Sequence, residues 1–330
     1  MILGTDDHTD IKTGRVDVKV SGNNDAHHVL SLLGSDRIRW ERVHLSPSYF
    51  RKPWRYDRTR YDVLWNMVTD ADQNPELLTV IDRFTREMRV PVIDPAAAIK
   101  KTRRHMVSET LAGLSDVHTP RTLLLRNPTL ERVRKQVADT GFQFPGIVRR
   151  TGAHNGQFLG LFDTPEAIEG VYGDRKREYY LTEYVDVRAP DGLFRKSRFY
   201  FVGREIIVRQ HIVAPDWNIH GASTRDLMIH RPDLLDEGRA VLTGQFAGLS
   251  PVTKAALEAI RDRMGLDYFG LDACIRPDGS VVVFEANATM NFHPKFENPA
   301  TQYNRAALEP MLAAIRTLIY EKNAQPATKT

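Results

Sequence analysis

The stretch Tyr268-Phe-Gly-Leu-Asp272-Ala-Cys-Ile-Arg276-Pro277-Asp278-Gly279-Ser280-Val281-Val-Val-Phe-Glu285-Ala-Asn287 reads as a β-hairpin. Two runs rich in β-branched and aromatic residues flank an Asp-Gly turn signal. With Asp278-Gly279 as a two-residue loop, Pro277 pairs with Ser280, and counting back sets Asp272 directly opposite Glu285. Side chains alternate along a strand, so Asn287 shares the face of Glu285. Like charges opposed across strands destabilise by roughly a few tenths of a kcal/mol or more. Two carboxylates and an amide placed there therefore point to a bound divalent cation. All three offer hard oxygens, which suit Mg²⁺ that also keeps waters and phosphate oxygens, and the chemistry implied is that of nucleotides. The plainer reading is a solvated carboxylate pair, and a three-residue loop would shift the register by one and part the pair onto opposite faces.

The chain's 330 residues suffice for two or three compact lobes, and 42% hydrophobic with 27% charged residues is ordinary for a soluble globular protein. No apolar run approaches the ~18 residues a membrane span needs, so no membrane partner is expected. The start, Met-Ile-Leu-Gly-Thr-Asp-Asp-His, lacks the basic opening and apolar stretch of a signal peptide. The single Cys274 cannot pair internally, which fits a reducing cytoplasm, the expected location. Its alternation with Asp272 marks it as a buried structural thiol. A net charge of +4 suits an anionic ligand without arguing for nucleic acid, which is not expected as a partner, and is compatible with a homo-oligomer.

Residues 1–60 form a poorly legible N-terminal extension that ends in Tyr49-Phe-Arg-Lys-Pro-Trp-Arg-Tyr-Asp-Arg-Thr-Arg-Tyr61. Interleaved arginine and aromatic residues suit a nucleic acid or a peptide; a surface arm, or a loop packed on a neighbouring lobe, is the favoured reading. From residue 61 the pattern becomes β-α-β-α. Tyr61–Asn66 reads as a strand, Asn74-Pro75 opens a helix carrying Leu77, Leu78, Ile81, Phe84 and Met88, Val90–Ile93 is a strand and Ala96–Leu114 a helical stretch. A strand at Pro120–Leu125, a Thr129-capped helix ending at Gly141, and a strand at Pro145–Arg150 follow. The last enters the glycine-rich Thr151–Gly160, whose backbone N–H groups can meet phosphate. Thr164-Pro165 starts a short helix and Glu178–Val185 is a strand, followed by a hairpin of Arg198–Val202 and Glu205–Val213 about Gly203. A helix runs from Ser250-Pro251 to Gly265, and a final one from about Asn304 to Tyr320.

This order of parts, over residues 61–320, resembles the ATP-grasp superfamily, and within it the glutathione synthetase and ribosomal-protein glutamate ligase type, as a divergent branch. The resemblance implies a mixed α/β and α+β fold: a small pre-ATP-grasp lobe (61–99), then two α+β lobes (100–181 and 182–322) enclosing ATP, then a tail at 323–330. The superfamily's Asp, then Glu-x-Asn, is matched by Asp272 and Glu285-Ala286-Asn287, which the resemblance makes ligands of Mg²⁺, or Mn²⁺ in its place, bridging the ATP phosphates. Arg104 and Arg149 stand where family members carry phosphate-binding lysines, keeping the charge but as a fork rather than a point. Gly152 and Gly156 belong to the phosphate-facing loop. Glu183-Tyr184-Val185 matches the linker that holds adenine and ribose, with Thr182 a departure from the pattern. Arg198 matches a strand arginine facing the phosphates or an acylphosphate.

The stretch from Arg209 to Gly221 and Met290-Asn-Phe-His293 depart furthest from the family. Asn218 stands for an Asn near the transferred phosphoryl group, and His211 and His220 are candidate bases, since imidazoles titrate near neutrality. The activity implied is ADP-forming ligation of a carboxylate to an amine through an acylphosphate, on an amino acid or peptide substrate. An ATP-grasp phosphotransferase and a degenerate nucleotide-binding partner protein remain as alternatives.

Overall fold

The computed structural model describes residues 1–4, 6, 33, 38–53, 55–153, 158–172, 176–219, 227–288, 299–306 and 308–324. Four parallel strands of two residues each open the chain: β1 (Ile2–Leu3), β2 (Val43–His44), β3 (Leu64–Trp65) and β4 (Val92–Ile93). β1 pairs with β2 and β3 with β4, and Ile2 bridges Asn66. Helix α1 (Pro75–Met88) lays Leu77, Leu78, Ile81, Phe84 and Met88 into the same core as Ile2, Val43, Leu45, Tyr49 and Leu64. Ile2, Val43, Leu45 and Tyr49, from the stretch before residue 61, thus pack into the core of this lobe. Within 49–61, among the described residues, Tyr49 packs inward: it meets Phe84 edge-on at 5.5 Å and stacks near Tyr56 at 6.2 Å.

Asn74 precedes the helix as its sequence suggests, yet its side chain does not cap it. The cap comes from Asp6, whose carboxylate accepts from the backbone N–H groups of Glu76 (2.9 Å) and Leu77 (2.7 Å), while Asn74 Oδ1 accepts from Asp6 N–H.

The expected single helix after β4 is two, α2 (Ala96–Lys100) and α3 (Arg104–Leu111), leading to β5 (Val117–His118). Next come β6 (Thr122–Leu125), α4 (Leu130–Thr140), β7 (Gly146–Arg150), β8 (Gly160–Phe162) and β9 (Tyr179–Glu183). They form an antiparallel sheet in the order β6-β9-β7-β8. Helix α4 has both sequence-expected ends: Thr129 Oγ1 accepts from Arg132 N–H, and Gly141 closes it at φ 66°.

The third lobe holds β10 (Phe194–Val202), β11 (Glu205–Ala214), α5 (Pro232–Gly244), α6 (Pro251–Met264), β12 (Tyr268–Ile275), β13 (Val281–Asn287) and α7 (Leu308–Asn323). Its sheet runs β11-β10-β12-β13-β5. One face packs Phe199, Phe201, Phe269 and Leu271 with Leu257 and Ile260 of α6. The other packs Tyr200, Val202, Ile207 and Tyr268 with Met311, Leu312 and Ile315 of α7, then continues into a polar region at Lys196, Arg198 and Asp272. No helix among the described residues is long and apolar enough to cross a membrane.

The β12–β13 turn contains three residues, not two. Arg276 N–H donates to Ser280 O, Gly279 N–H donates to Arg276 O, and Gly279 sits at φ 90°. Cys274 then faces Val282, and Ala273 faces Val283. Continued unbroken, this register would put Phe284 opposite Asp272. A β-bulge at Phe284 takes one residue out of the ladder, and Glu285 stands opposite Asp272 after all. The two one-residue offsets cancel.

A second bulge has the opposite consequence. Val202 faces Glu205 and Phe199 faces Val208, but Arg209 is extra, so Arg198 faces Gln210 and Ser197 faces His211. Without that bulge His211 would lie opposite Lys196.

Asp94, buried and at φ 57°, joins the first lobe to the third: its Oδ1 accepts from the N–H groups of Asp267 (2.9 Å) and Tyr268 (3.0 Å). Burial pushes its carboxyl well above the usual range, the two N–H donors opposing. A raised folded-state pKa stabilises below the unfolded value and is lost as pH rises through the folded one. Asp94→Asn keeps the acceptor and removes the charge, so its melting temperature should exceed the parent's at pH 7 and converge on it near pH 4; a constant difference across that range would contradict this. Asp6→Ala should lower unfolding free energy by about 1 kcal/mol in urea titration, and an unchanged midpoint would show that Asp6 does not cap α1.

Candidate active site

Asp272 lies mid-strand and only 3% exposed. Arg198, its cross-strand neighbour, grips it with both arms: Nε to Oδ1 at 2.7 Å and Nη2 to Oδ2 at 2.9 Å. Lys196, two residues along β10 and so on the same face, reaches Oδ2 at 3.1 Å. Lys196 was not singled out from sequence, although its spacing from Arg198 carries the signal. Glu285 pairs with Arg104 Nη2 at 2.9 Å, Arg104 Nη1 donates to Phe284 O at 3.3 Å, and Asn287 Nδ2 donates to Glu285 Oε1.

Burial alone would push both carboxyls up. Arg198 and Lys196 outweigh it at Asp272, which is held well below the usual carboxylate range. At Glu285, burial and Asp272 are outweighed by Arg104 and Arg149, giving about 2. Both are ionised at neutral pH. Arg149, at the end of β7, is pushed down to about 9, first by Arg104 beside it and then by burial. It remains charged at neutral pH and forms no ion pair among the described residues, so the direction of its shift measures unrelieved positive potential. Arg104, Arg149, Lys196 and Arg198 thus confront two carboxylates.

Among the described residues no group of three or more His, Cys, Asp and Glu converges. A divalent cation here would take the Asn287 amide oxygen with Asp272 and Glu285. The donor set fits: all are hard oxygens, both carboxylates stay ionised, and a bidentate guanidinium leaves further lone pairs on a carboxylate.

Near this polar face lies a buried apolar cluster of Phe194, Ile212, Ala214 and Ile219, with Val187, Trp217 and Phe284 packed against it. Trp217 meets Phe158 at 5.0 Å and Tyr184 at 5.9 Å, so the linker Tyr184-Val185 runs along its rim. Lys196 Nζ also donates to Ile219 O at 3.0 Å, drawing in the loop that carries Trp217 and Asn218.

Several sequence-derived candidates are placed elsewhere. His211 faces away from Asp272, held between Ser197 Oγ (Nδ1, 2.8 Å) and Glu237 Oε1 (Nε2, 2.9 Å) beneath α5, because the Arg209 bulge turns it over. Arg195 completes that chain on Glu237 at 2.6 Å. Glu183 accepts from the backbone N–H groups of Gln143 (2.8 Å) and Arg121 (3.2 Å), so its carboxylate braces its own lobe. Thr182 bonds Thr122 across the sheet. Gly152, at φ 67°, donates its N–H to Asp72 Oδ2 and accepts from Gln73 Nε2. Asp72 in turn accepts from Arg103 Nε (2.7 Å) and Tyr180 OH (2.6 Å), a junction between the first two lobes that sequence reasoning missed. Gly156, His220 and His293 lie outside the described residues. Cys274 is buried as expected, and burial raises its thiol.

No protein-family model matches the sequence, nor does any curated protein. Solved structures do. The chain is similar to the macrocyclase MdnC of Microcystis aeruginosa MRC, in a structure with precursor peptide MdnA, at TM-score 0.51 and 14% identity over 97% of this chain and 99% of that one. It is similar to a RimK-domain ATP-grasp protein of Sphaerobacter thermophilus DSM 20745 at TM-score 0.51 and 14% identity, covering 96% and 98%. The ATP-grasp ligase PsnB, complexed with precursor peptide PsnA2 and AMPPNP, matches at TM-score 0.50 and 13% identity over 96% of each chain. At such identities the likeness is one of architecture: the chain has the ATP-grasp fold.

Proposed function

We propose that the protein is an ATP- and Mg²⁺-dependent ligase that joins a carboxylate to an amine with release of ADP and phosphate. The observation that carries this reading is the convergence of four cationic side chains, Arg104, Arg149, Lys196 and Arg198, on Asp272 and Glu285 of the third lobe's sheet, near an apolar cluster edged by aromatic rings. A surplus of fixed positive charge suits a polyphosphate, and Arg149 is the side chain most relieved by one. Arg149 and Arg104 would hold the phosphates, and Asp272, Glu285 and Asn287 would hold Mg²⁺, which when bound neutralises phosphate charge. Tyr184, Val185, Trp217 and Phe284 would enclose the base. Arg198, locked by its two bonds to Asp272, would stabilise charge on the transferring phosphoryl group without reorganising.

In the first step a substrate carboxylate oxygen bonds to the γ-phosphorus and the bond to ADP breaks. In the second, an amine nitrogen bonds to the acyl carbon, phosphate leaves, and the amine loses a proton. The chain's part in both is positioning and charge neutralisation. Asn218, in the loop drawn in by Lys196, would act near the transferred phosphoryl group. Likeness to a macrocyclase and a ligase whose structures hold precursor peptides supports a peptide as the carboxylate-bearing substrate.

ADP release from Mg·ATP, screened against amino acids, small acids and short acidic peptides, tests the reading. Asp272→Ala strips the metal ligand and removes the carboxylate that Arg198 and Lys196 pair with, so turnover should fall on the order of 100-fold or more; turnover equal to the parent's would remove the metal assignment. Arg149→Met should act in opposite directions on two measurements. Relief of repulsion raises the melting temperature of the ligand-free protein, while loss of a charged contact raises KM for ATP about tenfold or more. An unchanged KM would take Arg149 out of the phosphate site.

A further inference from the structure

The basic-aromatic stretch 49–61 plays no part in the site above, and folding sorts its two residue types. The described rings go inward or are covered: Tyr49 is 2% exposed, Tyr56 OH is shared with the backbone of His44, and Arg83 lies over Phe50 at 3.9 Å. The arginines stay outside. Arg58, from the turn at Arg58–Arg60, joins Arg83, Arg86, Glu87 and Arg89 of the α1 end around an open cavity of about 400 Å³. Arg83 pairs with Glu87 and Arg86 with Asp82, whereas Arg58 and Arg89 form no ion pair among the described residues. A helix C-terminus favours cations in its last turn, which accounts for Arg86. It does not account for Arg58, brought in from a separate segment, or for Arg89 at φ 57° beyond the helix.

We propose that this arginine-lined hollow of the first lobe is a docking surface for an acidic polypeptide segment. Guanidinium forks match carboxylates two bonds at a time, and two of these forks, Arg58 and Arg89, engage no carboxylate among the described residues. The size falls within the ~300–1,000 Å³ of ligand pockets, room for a few acidic side chains rather than a folded domain. Single-stranded nucleic acid is the weaker match, because it binds by stacking bases on bare rings and the described rings here are packed or covered by arginine. The proposal is independent of the ligase reading and concerns a different lobe.

Fluorescein-labelled hexaglutamate titrated against the full chain tests it, with hexaglutamine and a labelled uridylate hexamer alongside. Hexaglutamate should bind with an affinity that falls as salt rises, and Arg58→Glu with Arg89→Glu should weaken it about tenfold or more. The double reversal Arg239→Glu with Arg316→Glu, on another lobe, should leave binding unchanged, thermal melts confirming that each variant is folded. Equal binding of hexaglutamine, no response to the first reversal, or an equal response to the second would overturn the proposal. So would tighter binding of the uridylate hexamer that the first reversal abolishes.

Discussion

The buried carboxylate of Asp272 is the constraint around which the third lobe is arranged. A charge so far from water is sustained only by close partners, and removing one from such a pair typically costs ~3–5 kcal/mol. Arg198 satisfies it from the adjacent strand and Lys196 from the same face. Lys196 also holds the carbonyl of Ile219, and Arg104 holds both Glu285 and the carbonyl of Phe284. Satisfying two carboxylates thus fastens β10, the loop after β11, the start of α3 and β13 to one another. The same contacts leave more cationic than anionic side chains around the pair.

Connections between lobes are polar as well. Asp94 ties the first lobe to the third through two backbone N–H groups, and Asp72 ties it to the second through Arg103, Tyr180 and Gly152. The Asp72 junction grips the root of the glycine-rich turn on both its N–H and its carbonyl. The first lobe therefore reaches the candidate site indirectly, by setting where that turn starts.

Local signals were legible in the sequence and distant ones were not. Thr129 with Gly141 and Ser250 with Gly265 bound helices as written, because a cap and its helix are neighbours in the chain. Asp6 capping α1 from 70 residues away leaves no local trace. The two-residue strands β1, β2 and β5 carry too little alternation to be seen, whereas β3 and β4 lie within runs that read as strands, and α5, whose helical face is set by the strand it covers, was missed. The Asp272–Glu285 pair was read correctly on a turn that is one residue longer than assumed. His211 was placed wrongly because an extra residue at Arg209 is invisible to periodicity.

Bulges act as slack in this sheet. The chemistry asks that Asp272 and Glu285 share a face; it does not ask for any particular number of residues between them. An added turn residue is absorbed when one residue steps out of the ladder, as Phe284 does. Loop length in this hairpin is therefore free to drift by single residues without dismantling the carboxylate pair. A motif written with a fixed gap between the two acids describes one way of meeting the requirement, and chains that meet it with a different gap will share the site while eluding the pattern.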